Sequence, residues 1–144
     1  IVVLPAPSDM DTEIDIVKTR VAQMADSFKL NSKLPDISAI ERVVTIFREL
    51  RDGQTLDGKV KLKSTSGVLS SAEAISLLVN SMALAGSFGN GNVTDYELAS
   101  ALQGAIVKDE SKDKGVWTEY LESVMRKKGK EYSKLYCECK ERNA

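Results

Sequence analysis

With 144 residues, 42% of them hydrophobic and 28% charged, the chain has the composition of one globular domain and is neither disordered nor collagen-like. Its 20 basic and 21 acidic residues leave a net charge of −1, so no overall field draws it to nucleic acid or to an anionic membrane. The absence of histidine removes every Ser-His, Cys-His and His-metal mechanism and argues against a self-contained enzyme.

Ile1 to Leu4 read as a strand that stops at Pro5. This apolar run is too short for the core of a signal peptide, and no apolar run approaches the roughly 20 residues that span a bilayer. We therefore read the chain as cytoplasmic, with no membrane partner. Because it opens without Met in the middle of a strand, we also read it as a piece of a longer protein. Pro5-Ala-Pro7 breaks the chain, and Ser8, Asp9 and Asp11 are candidate N-caps. Ile14, Val17, Val21, Met24 and Phe28 then recur at spacings of three and four, the stripe of an amphipathic helix of about 18 residues.

Asn31 to Pro35 end that helix, and Asp36 caps a second one. Its apolar positions are Ile37, Ile40, Val44 and Phe47, with Val43, Ile46 and Leu50 alongside, and Asp52-Gly53 closes it with a glycine C-cap. Residues 52 to 69 show no helical period. Asp57-Gly58 is a hairpin-type turn signal, and Lys59, Lys61 and Lys63 alternate with Val60 and Leu62, which predicts a short hairpin or extended loop around residues 54–66. We read the three lysines as the solvent face of an edge strand rather than as an anion-binding strip.

Two capping boxes follow, Ser70-Ser-Ala-Glu73 and Thr94-Asp-Tyr-Glu97, in which the hydroxyl satisfies an orphan amide and the glutamate reaches back to the cap. The first starts a helix with Ile75, Leu78, Val79 and Met82 inward, and the second a helix with Leu98, Leu102, Ala105 and Ile106 inward. Phe88, in the turn-rich link between them, is expected in the core. The Gly-Asn-Gly of that link is no phosphate loop, since it lacks the Gly-Lys-Ser/Thr ending and follows no strand. Asp109 to Asp113 read as a polar break. Beyond it Val116, Trp117, Tyr120, Leu121, Val124 and Met125 mark a further helix, continued or restarted after Gly129 by Tyr132, Leu135, Tyr136 and Cys139. Arg126, Lys127, Lys128 and Lys130 form the only dense basic run, which we read as a solvated helix end complementing its dipole and not as a nucleic-acid site. Cys137 and Cys139 are too close for an ordinary disulfide and too few for a zinc site, so they read as free thiols. The sum is an all-α chain, a five- or six-helix bundle with that one short hairpin or loop.

Taken in order, Leu4 to Pro7, Thr12 to Val17, Val43 to Gly53, Leu69 to Ser76, Ala83 to Gly89, Gly104 to Asp109 and Trp117 to Glu122 resemble the C-terminal portion of bacterial MoxR-type AAA+ ATPases. The resemblance covers roughly residues 4 to 125 and rests on the order and spacing of these segments rather than on one diagnostic motif. It implies that residues 1–7 are a remnant of the preceding nucleotide-binding core, that 8–108 form the helical lid, and that 109–144 are a helical extension packed on it. It also implies an ATP-driven, chaperone-like remodeller. ATP and magnesium would be held by the intact protein, and the lid's partners would be the core of the same protein, neighbouring subunits of a ring and a von Willebrand A-type domain protein.

No phosphate loop and no acidic pair at the end of an apolar strand occur in the chain, so the parts that perform phosphoryl transfer would precede residue 1, and no catalytic or metal-binding residue is assigned here. In such lids the third helix often begins with an arginine that approaches the γ-phosphate. The matching place is Ser70 to Ala74, where Ala72 or Glu73 stands instead. Ser70, Ser71 and Glu73 are therefore the candidate cofactor-binding residues, beside the plainer reading in which Ser70 and Glu73 only cap the helix. The alternative function is a stand-alone helical module for protein–protein interaction, and a helical nucleic-acid binder using Lys59 to Lys63 or Arg126 to Lys130 is a third reading.

Overall fold

The structure, a computed structural model, describes residues 9–63, 65–67 and 69–144. The strand read over Ile1 to Leu4, the break at Pro5 to Pro7, the cap candidate Ser8 and the 1–7 core remnant lie outside these residues. The described chain is all-helical: α1 (Met10–Ser27), α2 (Ile37–Asp52), α3 (Ser71–Phe88), α4 (Asp95–Ile106), α5 (Glu110–Ser123), a single 3-10 turn (Met125–Lys127) and α6 (Lys130–Asn143).

The helix ends follow local chemistry. Asp9 caps α1 through a bond from the Asp11 amide, and Asp36 caps α2 by accepting from the Ala39 amide at 2.8 Å. Gly53 ends α2 in the left-handed conformation, φ 71°, which costs glycine nothing. The predicted hairpin is a loop with one isolated antiparallel bridge, Gln54 to Lys61, and there is no strand among the described residues. The polar break predicted at Asp109 to Asp113 is instead the start of α5. Asp109 is its N-cap, accepting from the Ser111 amide, and the acidic residues that follow suit a first turn, where the helix dipole favours negative charge.

α1 packs on α2 and α3, α3 on α4, and α4 on α6. Ser71 at the start of α3 bonds Glu13 at the start of α1, and the Asn31 carbonyl just past α1 faces Gly86 near the end of α3, so the two helices run in the same direction. One continuous apolar core joins Val17, Val44, Phe47, Leu78 and Leu102 to Trp117, Tyr120, Leu135 and Cys139. The Trp117 and Tyr120 rings stack within it, 5.6 Å apart at an interplanar angle of 8°.

Three apolar residues depart from the expected pattern. Phe88 is 86% exposed rather than in the core. The neighbouring loop closes over Gly86, on the other side of α3, and leaves the last turn uncovered around Phe88. Phe28 and Ile37, at the outer ends of their stripes, are also exposed, because each lies beyond the last core layer of its helix.

The α3 start and its buried carboxylates

Ser70, Ser71 and Glu73 lie together at the beginning of α3, but their side chains point to three different partners. The Ser70 hydroxyl oxygen accepts from the Glu73 amide at 3.3 Å. The reciprocal half of the expected box is missing, since the Glu73 carboxylate instead faces Lys108 Nζ at 3.6 Å, at the far end of α4. The lysine stem lies against Gly67, where an added β-carbon would come within 3.2 Å of Lys108 Cδ. By contrast Thr94 and Glu97 do form a box. The Glu97 carboxylate accepts from both the Thr94 amide and its hydroxyl at 2.7 Å.

Ser71 belongs to a cluster that sequence reading missed. Its hydroxyl donates to Glu13 Oε2 at 2.8 Å. Glu13 is fully buried and also accepts from Arg48 at 2.7 Å and from Arg51 at 2.9 and 3.3 Å, while Arg51 donates in addition to the Leu69 carbonyl at 2.9 Å. Burial by itself would raise the Glu13 carboxyl, but hydrogen bonds from Arg51, Ser71 and Arg48 outweigh it and hold the group below the ordinary carboxylate range. The visible signal was a carboxylate one turn before Val17 on the apolar stripe of α1, matched by two arginines three apart on α2.

A second buried carboxylate fixes the approach to α3 from the other side. Asp113 accepts from the Ser66 amide at 2.7 Å, from the Ser66 hydroxyl, and from the amides of Lys108 and Asp109 at 3.1 and 2.9 Å. Burial pushes the Asp113 carboxyl up, yet these donors bring it down to about 2. Glu13 thus holds the start of α3, and Asp113 the segment that leads toward it.

From Glu73 and Lys108 an open groove of about 540 Å³ runs between α3 and α4 past Leu77, Asn80 and Leu84 to Phe88. At its end the Arg142 guanidinium lies 4.3 Å from the centre of the exposed Tyr96 ring. The basic run is not wholly solvated. Lys128 turns inward to Glu49 at 3.0 Å, whereas Arg126 pairs on the surface with Glu122. Cys137 is exposed and Cys139 buried, both unbridged, and burial together with nearby Asp95 and Glu138 pushes the Cys139 thiol up to about 12. Among the described residues no helix is long and apolar enough to cross a membrane.

The described residues form an all-helical, lid-like bundle of the kind found as the C-terminal domain of an AAA+ ATPase. Residues 11–143 match the YehL-like AAA+ ATPase C-terminal domain, and the chain belongs to that family. No curated protein and no solved structure matches it.

Proposed function

We propose that the chain is the lid of a MoxR-type AAA+ ATPase, a chaperone-like remodeller whose nucleotide-binding core lies outside these 144 residues. The observation that supports this reading most is the family membership over residues 11–143, which places almost the whole chain in an AAA+ C-terminal domain. The order of the segments from Thr12 to Glu122 supports the MoxR type.

On this reading ATP and magnesium belong to the core, which is also the lid's first partner, followed by neighbouring subunits of a ring and a von Willebrand A-type domain protein. The residues of the α3 start do not fit a triphosphate by themselves. The Ser70 oxygen is taken by the Glu73 amide, Ser71 donates to Glu13, and Glu73 puts negative charge at the helix end. The lid's part is mechanical. Because one core joins α1 through α6, a displacement at the α3 start moves the groove and α6 with it as one body.

Two assays test the proposal together: a search of the coding sequence upstream of Ile1 for Gly-x4-Gly-Lys-Ser/Thr, and magnesium-dependent ATP hydrolysis by the intact protein and by the 144-residue chain. The proposal expects the motif, turnover by the intact protein and none by the chain. An intact protein without a phosphate loop would overturn it and favour the stand-alone interaction module, which the exposed Phe88 beside the α3–α4 groove would then serve.

A further inference from the structure

Glu49 is 1% exposed and collects donors from three separate parts of the chain. The Tyr120 hydroxyl of α5 donates to Oε1 at 2.7 Å. Lys128 Nζ, just past the 3-10 turn, lies 3.0 Å from Oε1 and 3.1 Å from Oε2. The Leu56 amide, in the loop after α2, donates to Oε2 at 3.0 Å.

The same carboxylate borders a cavity of about 330 Å³, with Thr55, Leu56 and Lys59 on one wall and Val124 and Lys127 on the other. The loop therefore reaches the C-terminal helices across an empty space, through a buried charge. It turns at Gly53 and Gly58, both at positive φ (71° and 73°), which glycine adopts without strain. Leu56 is exposed, while Val60 and Leu62 are partly buried against the core, so lifting this segment uncovers two apolar side chains and no fully buried one.

A buried carboxylate is stable only while it is paired, and removing one partner leaves an uncompensated charge that seeks water. The cheapest route for water to Glu49 is through the cavity, by displacement of the Leu56 amide. We infer that residues 54–62 form a strap latched to the bundle through Glu49, and that Lys128 sets the latch. With the ammonium in place the strap is closed, and when the ammonium is withdrawn the strap opens over the cavity while the bundle stays folded. The Lys128 side chain is 20% exposed, so a group in solution can reach it.

Native-state hydrogen exchange on the 144-residue chain tests this. In the wild type the Leu56 amide is expected to exchange by local opening, with protection at least about tenfold below that of the Phe47 amide in α2. Lys128→Met is expected to lower the protection of Leu56 by at least about a further tenfold and that of Phe47 by no more than the same factor, because the pair is lost in the opened strap and in the unfolded chain alike, and Lys128→Arg to restore both. Equal protection of Leu56 and Phe47 in the wild type would overturn the latch, as would Lys128→Met lowering the protection of Phe47 while leaving that of Leu56 unchanged. Should Lys128→Met fail to fold, Lys128→Gln is read in the same way.

Discussion

Asp113 and Ser66, 47 residues apart in the chain, share two hydrogen bonds, one from the Ser66 amide at 2.7 Å and one from its hydroxyl. With the amides of Lys108 and Asp109 on the same carboxylate, this contact ties the turn before α5 to the segment that leads into α3. Asp113→Ala removes the buried acceptor shared by four donors on the exposed residues Ser66, Lys108 and Asp109 and should cost about 1 to 3 kcal/mol, read as a shift in the urea midpoint.

The same residue makes stability depend on acid. Its donors hold the carboxyl down to about 2 in the folded chain, below the ordinary aspartate range, so its contribution is complete above the unfolded value and is lost as pH falls toward 2. Glu13, also lowered, adds in the same direction. Urea unfolding of the wild type at successive pH values should show stability falling from about pH 4 downward, with a shallower fall in Asp113→Asn.

Glu13 pairs with both Arg48 and Arg51, its own carboxylate fully buried. Glu13→Ala removes the acceptor of three side chains and should destabilise the domain by about 3 to 5 kcal/mol, whereas Ser71→Ala removes one donor and should cost about 1 kcal/mol. Thermal or urea unfolding of both variants checks the ranking, and equal costs would contradict it.

Gly86 is required by close approach. A β-carbon there would lie 2.5 Å from the Asn31 carbonyl oxygen, so the 29–34 loop would have to move. That loop is also held by the Lys33 amide and the Ser32 hydroxyl, both donating to the Gly91 carbonyl. Gly86→Ala should cost about 1 to 3 kcal/mol in spite of alanine's better helix propensity, measured by thermal unfolding.

How much of this was legible in the sequence depends on the range of the interaction. Asp36, Gly53 and the stripe from Ile14 to Val21 act within a few residues, and they gave α2 its ends and α1 its buried face. The α3 start was located through Ser70, but the partner of Glu73 was not, because Lys108 is brought there by the antiparallel return of α4. The carboxylate of Glu13 was visible on the apolar stripe of α1, but its partners and those of Asp113 were not, since their donors lie up to 58 residues away. Asp113 was also masked by its acidic neighbours, which made a helix start look like a break. Phe88 failed differently: its spacing fits the α3 stripe, and only the position of the 29–34 loop decides that nothing covers it.

For the α3 start the account expects a structural role. Ser70→Ala should cost about 1 kcal/mol of domain stability. Glu73→Ala in the intact ATPase should change turnover by less than about tenfold, equivalent to about 1.4 kcal/mol in barrier height. A larger loss with the domain's thermal midpoint unchanged would place Glu73 on the nucleotide.

The central claim is that this domain is a lid that moves against an ATP-binding core. Cys137, exposed on α6, offers a labelling position that buried Cys139 does not. Energy transfer between a dye on Cys137 and a second dye on the core of the intact protein measures the movement directly. The account predicts that the distance changes on adding ATP with magnesium and returns after hydrolysis. A distance that stays the same with and without nucleotide, in a protein shown to hydrolyse ATP, would contradict it.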